Sequence, residues 1–155
     1  MTAPRPDAEL PFARPPGSTI DLAFVHAVAT ETNRAQRSMG TQLLAIDRHG
    51  ATVALPWRDD LADPSGAFAP GVLAALLDHA CSLAALLSLD DPARFGTTVN
   101  LRVDYLAPVL PAQPVHVRGE AVHEGSQAMA IRGEAFHPHD PQRLLATAVC
   151  TVATA

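Results

Sequence analysis

The sequence predicts an α+β domain in which an antiparallel sheet wraps around a long central helix. The first observation is an apolar stretch at residues 66–89, GAFAPGVLAALLDHACSLAALLSL, which is long enough for a buried helix. The second is that four strand-length segments follow it, and the third is that two short β-compatible runs precede it. Many strands combined with one very apolar helix are typical of a sheet that curls around that helix.

The length and composition are those of one domain. A chain of 155 residues can bury a substantial core but is too short for two full-sized domains. The net charge is -5 and the 11 basic residues, all of them arginines, form no basic run, which argues against a nucleic-acid partner. The two cysteines form no CxxC pair, so we expect a reduced compartment, the cytoplasm, and no disulfide framework.

Residues 1–18 are predicted to be a proline-rich N-terminal arm, and residues 19–155 a single domain. The arm contains five prolines and no apolar segment of the kind found in signal peptides. The segment from Ser18 to Gly40 begins with a capping residue and ends with a glycine, which predicts a first helix of roughly four turns. The runs TQLLAID and ATVALPW, separated by RHG, then predict a hairpin with Gly50 at the turn.

The central helix is predicted to run from about Gly71 to Leu89, between the loop RDDLADPSGAFAP and the helix-stopping segment DDP. It is the only candidate for a membrane span in the sequence. Asp78 and His79 lie near its middle, however, where a charge costs roughly 2.5–3.5 kcal/mol in a bilayer. We therefore predict a buried helix of a soluble protein that has no membrane partner.

Four strands are predicted after the helix, in TTVNLRVDYLAP, QPVHVRGEAVHE, QAMAIRGEAFHP and RLLATAVCTVAT. The first of them alternates between apolar and polar residues, so its two faces can be assigned. The set predicted to face the helix consists of Val99, Leu101, Val103 and Tyr105. The set predicted to lie on the other side of the sheet consists of Thr98, Asn100, Arg102 and Asp104.

Asp78 is the acid within the apolar helix. At about 100° per residue the leucine stripe of the helix lies on one side, comprising Leu73, Leu76, Leu77, Ala80, Ala84 and Leu87. Asp78 lies on the opposite side among small residues, Ala75, Ser82 and Ala85, where another surface could approach closely. An unpaired buried carboxylate is costly, so this acid must be hydrogen-bonded, paired or protonated. On periodicity alone, a structural and a functional role are equally open.

The segment PGVLAALLDHACSLAAL, followed by TTVNLRVDYLAP, resembles the signature region of the hotdog-fold thioesterases of the phenylacetic-acid-degradation type. The resemblance extends from about residue 40 to residue 152. It implies the hotdog fold, in subunits whose sheets join edge to edge in a homodimer or a dimer of dimers. It also implies hydrolysis of acyl-CoA thioesters at the subunit interface, with coenzyme A as part of the substrate and with no separate cofactor or metal.

The resemblance implies catalytic roles for three residues. Asp78 matches the helix carboxylate that acts as nucleophile or general base, and Thr98 matches the strand hydroxyl that helps to place this carboxylate or its water. Where relatives have His-Gly-Gly at the helix start, this chain has Ala69, Pro70 and Gly71. The first glycine of relatives usually offers its amide to the thioester carbonyl, but proline has no amide hydrogen. Gly71 therefore offers the nearest surviving donor.

The chemistry of the reaction explains why two subunits are expected. Thioester hydrolysis needs a carboxylate that attacks or deprotonates water, and donors where the carbonyl oxygen gains charge. Asp78 lies about 10 Å beyond Gly71 along a helix axis at about 1.5 Å per residue, so one helix cannot bring both to one carbonyl. Two antiparallel helices related by a two-fold axis can, which gives two identical sites per dimer.

Four residues are candidate substrate contacts, Asp63, Pro70, Asn100 and Arg102. Relatives often have Asn or Gln at the position of Asp63 to help hold the attacking water, although DPSG also suits a turn-forming aspartate. Arg102 is a candidate for contact with a CoA phosphate, and a surface or interface arginine is the alternative.

Other reactive side chains are expected to have structural roles. Cys81 and Ser82 lie within the helix without an elbow motif or a neighbouring base, so we predict that they are packing residues. His79 points about 100° away from Asp78 and is predicted to be a core or interface histidine. The segment FHPHD contains two histidines but no third ligand at a recognisable spacing, so no metal site is predicted.

The sequence therefore predicts an acyl-CoA thioesterase that acts on aryl or medium-chain acyl groups. The alternative is a non-catalytic protein that binds acyl-CoA or acyl groups and has lost its oxyanion donor. A hotdog dehydratase or hydratase is disfavoured, because the sequence has no separated Asp and His pair of the hydratase type.

Overall fold

The computed structural model describes residues 21–47 and 50–155. Its helices are α1, Leu22–Ala27, α2, Arg34–Met39, and α3, Pro70–Ser88. Its strands are β1, Gln42–Ile46, β2, Gly50–Leu55, β3, Phe95–Tyr105, β4, Val115–Glu124, β5, Ala128–His137, and β6, Asp140–Thr154. The predicted N-terminal arm, residues 1–18, and residues 48–49 of the predicted hairpin turn lie outside the described residues.

The six strands form one antiparallel sheet in the order β1-β2-β4-β5-β6-β3. Helix α3 packs against β2, β3, β4, β5 and β6. The sheet therefore curls around the helix, and this confirms the predicted α+β architecture. Strands β1 and β3 form the two edges.

The leucine stripe of α3 forms the centre of the core. The predicted residues are all buried in the two clusters that α3 forms with the sheet, Leu73, Leu76, Leu77, Ala80, Ala84 and Leu87. Burial of one leucine side chain contributes roughly 1.5–3 kcal/mol, so this stripe holds the helix in place. By length and composition α3 could span a membrane, with a mean hydropathy of 1.7, but 61% of its apolar window is buried within the fold, as in a core helix.

Two glycines allow α3 to lie close to the sheet. Gly119 of β4 and Gly133 of β5 are register partners. A Cβ atom at position 119 would overlap the Ala80 carbonyl, and one at position 133 would lie 3.0 Å from Cys81 Sγ. Larger residues would push the helix outwards and move Asp78 relative to the sheet.

The first helix is not continuous, so the prediction of a single helix over residues 18–40 is wrong. Helix α1 passes into a π-helical segment, Val28–Thr32, and the chain then breaks at Asn33 before α2 begins. Asn33 has an extended backbone, and its Oδ1 accepts a hydrogen bond from Gln36 N at 3.2 Å. An asparagine side chain that caps the next helix competes with continuation of the previous one.

Buried polar side chains attach these N-terminal segments to α3. Gln36 Nε2 donates to the Ala75 carbonyl at 3.0 Å, and Gln36 Oε1 accepts from Thr41 Oγ1 at 2.8 Å. His79 Nε2 lies 3.0 Å from the Ala29 carbonyl. His79 is predicted to be a satisfied core or interface histidine, and its burial together with this contact shows the first of the two.

Strand β3 departs from simple alternation at Val99. The register of β3 against β6 shifts between Thr98 and Asn100, so Val99 is an extra residue that forms a bulge. Val99 is 61% exposed, whereas Thr98 reaches α3 on the same side as Leu101 and Val103. The predicted inward position of Val99 and outward position of Thr98 are wrong, because the bulge adds one residue to the alternation.

The small-residue side of α3 is also less open than predicted. Ser82 lies within 3.4 Å of Thr98, and Ala85 is fully buried in a cluster that includes Phe95 and Leu101 of β3. The end of the sheet therefore covers much of this side of the helix. Asp78 stays only partly buried at the border of the covered region.

Candidate active site

Asp78 is held by one of its two carboxylate oxygens. Its Oδ1 accepts a hydrogen bond from Thr98 Oγ1 at 2.7 Å. In the described part of the chain no group donates to Oδ2, and no cation forms an ion pair with the carboxylate. One oxygen is thus fixed in position while the other is available to water or to a ligand.

The Thr98 hydroxyl is itself oriented by neighbouring groups. Ser82 Oγ lies 3.4 Å from Thr98 Oγ1, and Cys150 Sγ lies 3.9 Å from it. Because Thr98 uses its only hydroxyl proton towards Asp78, these two longer contacts are ones in which it accepts. The side chains of two strands and one helix therefore converge on the acid.

Cys81 and Cys150 are buried free thiols beside this group. A hydrogen bond with Cys150, followed by burial, raises the pKa of the Cys81 thiol, while the hydrogen bond from Cys81 lowers the pKa of Cys150. A buried thiol with a raised pKa stays protonated and is a poor nucleophile. These observations agree with the predicted packing role of Cys81.

The start of α3 presents an unengaged backbone donor. Ala69 is the N-cap and makes no side-chain capping bond, Pro70 is the first helical residue, and Val72 N donates to the Ala69 carbonyl at 2.9 Å. Gly71 N–H donates to no acceptor among the described residues. A Cβ atom at Gly71 would meet nothing within 4 Å, so the surrounding space is open. The helix dipole adds to the ability of this amide to bind negative charge.

Tyr105 extends from the end of β3 to the same helix start. Its Oη donates to the Pro70 carbonyl at 2.8 Å, and the residue is 48% exposed. The sequence pattern places Tyr105 on the inner face of the strand but gives it no role in the site. A phenol on the strand that also carries Thr98 is the signal that could have identified it.

Gly71 and Asp78 do not meet within one chain. Both lie on the uninterrupted helix α3, and about 1.5 Å of rise per residue separates them by about 10 Å along its axis. The structure therefore brings Asp78 together with Thr98, and Pro70 and Gly71 together with Tyr105, as two separate groups.

Asp63 lies in a turn before α3. Its Oδ1 accepts hydrogen bonds from Ser65 Oγ at 2.5 Å and from Ser65 N at 2.7 Å, and these bonds lower the pKa of the Asp63 carboxyl. This geometry is typical of a turn-forming aspartate. A contact with the attacking water stays a prediction for this residue.

Asn100 and Arg102 lie on the outer side of β3. Both are exposed, and Arg102 Nη2 forms an ion pair with Asp104 Oδ1 at 3.1 Å. Thr98 points to the opposite side of the strand, so one chain does not bring these two residues to Asp78. Their proposed contacts with the substrate stay predictions.

The two histidines of the turn between β5 and β6 lie close together. The ring centroids of His137 and His139 are 5.3 Å apart, and His139 N donates to His137 Nδ1 at 3.2 Å. No group of three metal-binding side chains comes together in residues 21–47 and 50–155. The expectation that the protein uses no metal stays a prediction.

A protein-family model described as the thioesterase superfamily matches residues 66–143, which is about half of the chain. The matched segment contains α3, β3, β4 and β5 and thus both groups of the candidate site. A search of curated proteins finds no significant match.

Solved structures of bacterial proteins share the fold. The PaaI protein of the phenylacetic acid degradation operon of E. coli is 16% identical, with a TM-score of 0.72 over 81% of this chain and 86% of that chain. A thioesterase from Haemophilus influenzae is 19% identical, with a TM-score of 0.77 over 89% of this chain and 92% of that chain. A protein from Pseudomonas aeruginosa is 25% identical, with a TM-score of 0.72 over 83% of this chain and 98% of that chain.

Proposed function

This chain belongs to the thioesterase superfamily, and from that membership we propose that it hydrolyses acyl-CoA thioesters with aryl or medium-chain acyl groups. The observation that carries the proposal is the carboxylate of Asp78, which Thr98 holds at 2.7 Å through one oxygen only. Fixing one oxygen orients the carboxylate, and the second oxygen is available for reaction. This is the arrangement that a general base or a nucleophile requires.

The general-base route uses both groups of the candidate site. Asp78 Oδ2 takes a proton from a water molecule, whose oxygen attacks the carbonyl carbon of the thioester. The carbonyl oxygen becomes an oxyanion and accepts a hydrogen bond from Gly71 of the partner subunit. The carbon–sulfur bond then breaks, and the leaving thiolate of coenzyme A takes up the proton from Asp78.

The nucleophilic route differs in the attacking atom and passes through a covalent intermediate. Asp78 Oδ2 attacks the carbonyl carbon and expels the thiolate, and water then hydrolyses the mixed anhydride. A single turnover in ¹⁸O-labelled water separates the two routes. Label that enters the Asp78 carboxylate supports the anhydride, because only attack of water on the Asp78 carbon of that anhydride puts label there. Label found only in the released acid, with no acyl-enzyme seen by rapid-quench mass spectrometry, supports the general base.

The edge strand β3 supports a site shared between two subunits. Its outer edge is unpaired in the described sheet, and Val99, Tyr105 and Leu106 are exposed along it or just beyond it. An exposed strand edge with apolar residues favours pairing with another chain. We therefore include a homodimer, and its doubling to a tetramer, in the proposal, because two antiparallel helices can place the Gly71 amide of one subunit opposite Asp78 of the other.

The replacement of the glycine amide by Pro70 favours a second candidate function. A chain without a working oxyanion donor would bind acyl-CoA without cleaving it, since loss of one donor typically costs about 100- to 1000-fold in turnover. The two functions are separated by assaying aryl- and alkyl-acyl-CoAs for thiol release and measuring their binding in parallel. Release of thiol supports the enzyme, and tight binding without release supports the binding protein.

Asp78→Asn tests the role of the acid. The amide keeps the shape and can still meet Thr98 but carries no charge, so kcat should fall by at least about 100-fold while substrate binding persists. Asp90→Asn, at an exposed position after α3, is the matched control and should leave kcat unchanged. A folded Asp78→Asn variant that turns over at the rate of the original protein would disprove the assignment.

A further inference from the structure

One peptide unit at the start of α3 carries two hydrogen-bonding groups that point in opposite directions. Its carbonyl belongs to Pro70 and its N–H belongs to Gly71, the donor proposed for the oxyanion. The carbonyl accepts a hydrogen bond from Tyr105 Oη at 2.8 Å, and the N–H has no acceptor among the described residues. Because the peptide is planar, a group that fixes its carbonyl also fixes the direction of its N–H.

We infer that Tyr105 is a positioning residue that aims the Gly71 amide at the thioester carbonyl, an inference that rests on the proposed thioesterase function. The pyrrolidine ring of Pro70 restricts φ to about −65° and so restricts the backbone on one side of this peptide. Gly71 has no Cβ and permits a wide range of backbone angles on the other side. Within α3 the Pro70 carbonyl also accepts from the amide four residues further on, a bond that frays easily in the first turn of a helix. The bond from Tyr105 adds a second restraint, which comes from the sheet.

The same hydrogen bond also strengthens the donor. A hydrogen bond received by a carbonyl polarises its peptide, and the N–H of that peptide then becomes a better donor. An oxyanion donor is effective when it is already oriented before charge develops. Tyr105 thus acts on both the direction and the strength of the Gly71 amide.

The position of Tyr105 argues against a mainly stabilising role. Its side chain is half exposed, and a hydrogen bond in contact with water contributes only about 0.5–1.5 kcal/mol to stability. The helix itself is held by its buried leucine stripe and does not depend on this bond. Loss of the hydroxyl should therefore affect turnover more than folding.

Tyr105→Phe is the direct test, because it removes the hydroxyl and keeps the ring. Loosening a donor without removing it should lower kcat by roughly 3- to 10-fold, with KM and Tm close to their original values. Ser88→Ala is the matched control, since Ser88 Oγ donates to the Ala84 carbonyl at 2.9 Å near the other end of the same helix. This control also deletes a hydroxyl bonded to a carbonyl of α3, and it should leave kcat unchanged.

The kinetic outcomes separate this inference from the proposed function. An active original protein and an equally active Tyr105→Phe variant would overturn the positioning role and leave the thioesterase in place. A fall in kcat that is matched by Ser88→Ala, or that follows a large loss of Tm, would also overturn it. Absence of thiol release from any acyl-CoA by the original protein would count against the proposed function.

A spectroscopic measurement tests the same contact without catalysis. Tyr105→Phe should shift the carbonyl ¹³C resonance of Pro70 and the amide resonances of Gly71, because the hydrogen bond from the phenol to the Pro70 carbonyl is lost and the Gly71 N–H belongs to the same peptide. Ser88→Ala should leave these resonances in place. Gly71 resonances that are identical in Tyr105→Phe and the original protein would refute the inference, whatever the activity of the protein.

Discussion

Pro70 is the residue at which this chain departs most clearly from the His-Gly-Gly of the family signature that its sequence resembles. Proline suits the first position of a helix, because its fixed φ is helical and the missing N–H would have no partner there. The structure adds that the next amide, Gly71 N–H, is exposed and has no acceptor in the described residues. Pro70, which has no amide hydrogen, is therefore followed directly by Gly71, whose amide is available to a ligand.

Pro70→Gly tests which amide acts on the substrate. If Gly71 is the working donor, kcat should stay level or fall, since a glycine here adds backbone freedom and loosens an amide that is already in place. Thiol-release kinetics with one good acyl-CoA measure this, and circular dichroism confirms that the variant folds. A rise in kcat towards the roughly 100- to 1000-fold that one donor supplies would instead show that the original protein has no working donor.

At the scale of secondary structure, periodicity predicts the parts of the chain in which packing dominates. The bounds and the leucine stripe of α3 could be predicted because a long apolar run lies between a loop and a helix-stopping segment, and most of its large side chains recur on one side. The four strands after it could be predicted from a similar pattern. In each of these elements one face packs against the core, and the apolar residues of the sequence are concentrated on that face. The burial of the small residues on the other side of α3 could not be predicted in this way, because it depends on the end of the sheet that covers them.

Periodicity fails where a single residue interrupts an element. The bulge at Val99 adds one residue to β3, so residues before it face the side opposite to the one that simple alternation predicts. The pattern alone therefore assigns Thr98 to the wrong side of the strand. The break at Asn33 depends on one side-chain cap that competes with helix continuation. The contact from Tyr105 to Pro70 joins residues 35 positions apart, and no local pattern reports such a contact.

The docking of the π-helical segment on α3 should depend on pH through His79. Burial lowers the pKa of His79 below its ordinary value of 6.5, against smaller opposing effects of the Ala29 carbonyl and Asp78. Above pH about 6.5 this histidine is neutral in both the folded and the unfolded chain. As the pH falls below that value, the unfolded chain takes up a proton that the folded chain resists, so the free energy of unfolding decreases.

His79→Gln should reduce this pH dependence, because glutamine keeps an amide donor for the Ala29 carbonyl and does not titrate. Thermal unfolding between pH 8 and pH 5 measures the effect. The Tm of the original protein should fall more steeply below pH about 6.5 than that of the variant. Burial also lowers the pKa of His116, so His116→Gln shows how much of the pH dependence of Tm comes from this second histidine. If the Tm of His79→Gln and the Tm of the original protein fall in parallel with pH, the prediction for His79 is contradicted.

At the scale of the whole molecule, the proposed mechanism uses two site groups that lie apart along one helix, so the proposal requires a second subunit. Asp78 and Thr98 lie beside the middle of α3, while Gly71, Pro70 and Tyr105 lie at its start. In the proposed mechanism neither group is sufficient alone, because the first supplies the base and the second supplies the donor for the oxyanion. A two-fold axis that pairs two β3 edges would bring the acid of each subunit towards the helix start of the other.

Val99→Asp tests this assembly at the unpaired edge. Val99 is 61% exposed on the bulge of β3, and a carboxylate there would have to be desolvated or placed beside its own copy when two edges pair. Val122→Asp is the matched control, since Val122 is 57% exposed but lies on β4, which has a neighbouring strand on each side.

By light scattering at micromolar concentration we expect dimers or larger species for the original protein and for Val122→Asp, and monomers for Val99→Asp. Thiol release should disappear only in Val99→Asp, because each monomer keeps a folded core but loses the second half of its site. A monomeric original protein with full turnover would rule out the shared site.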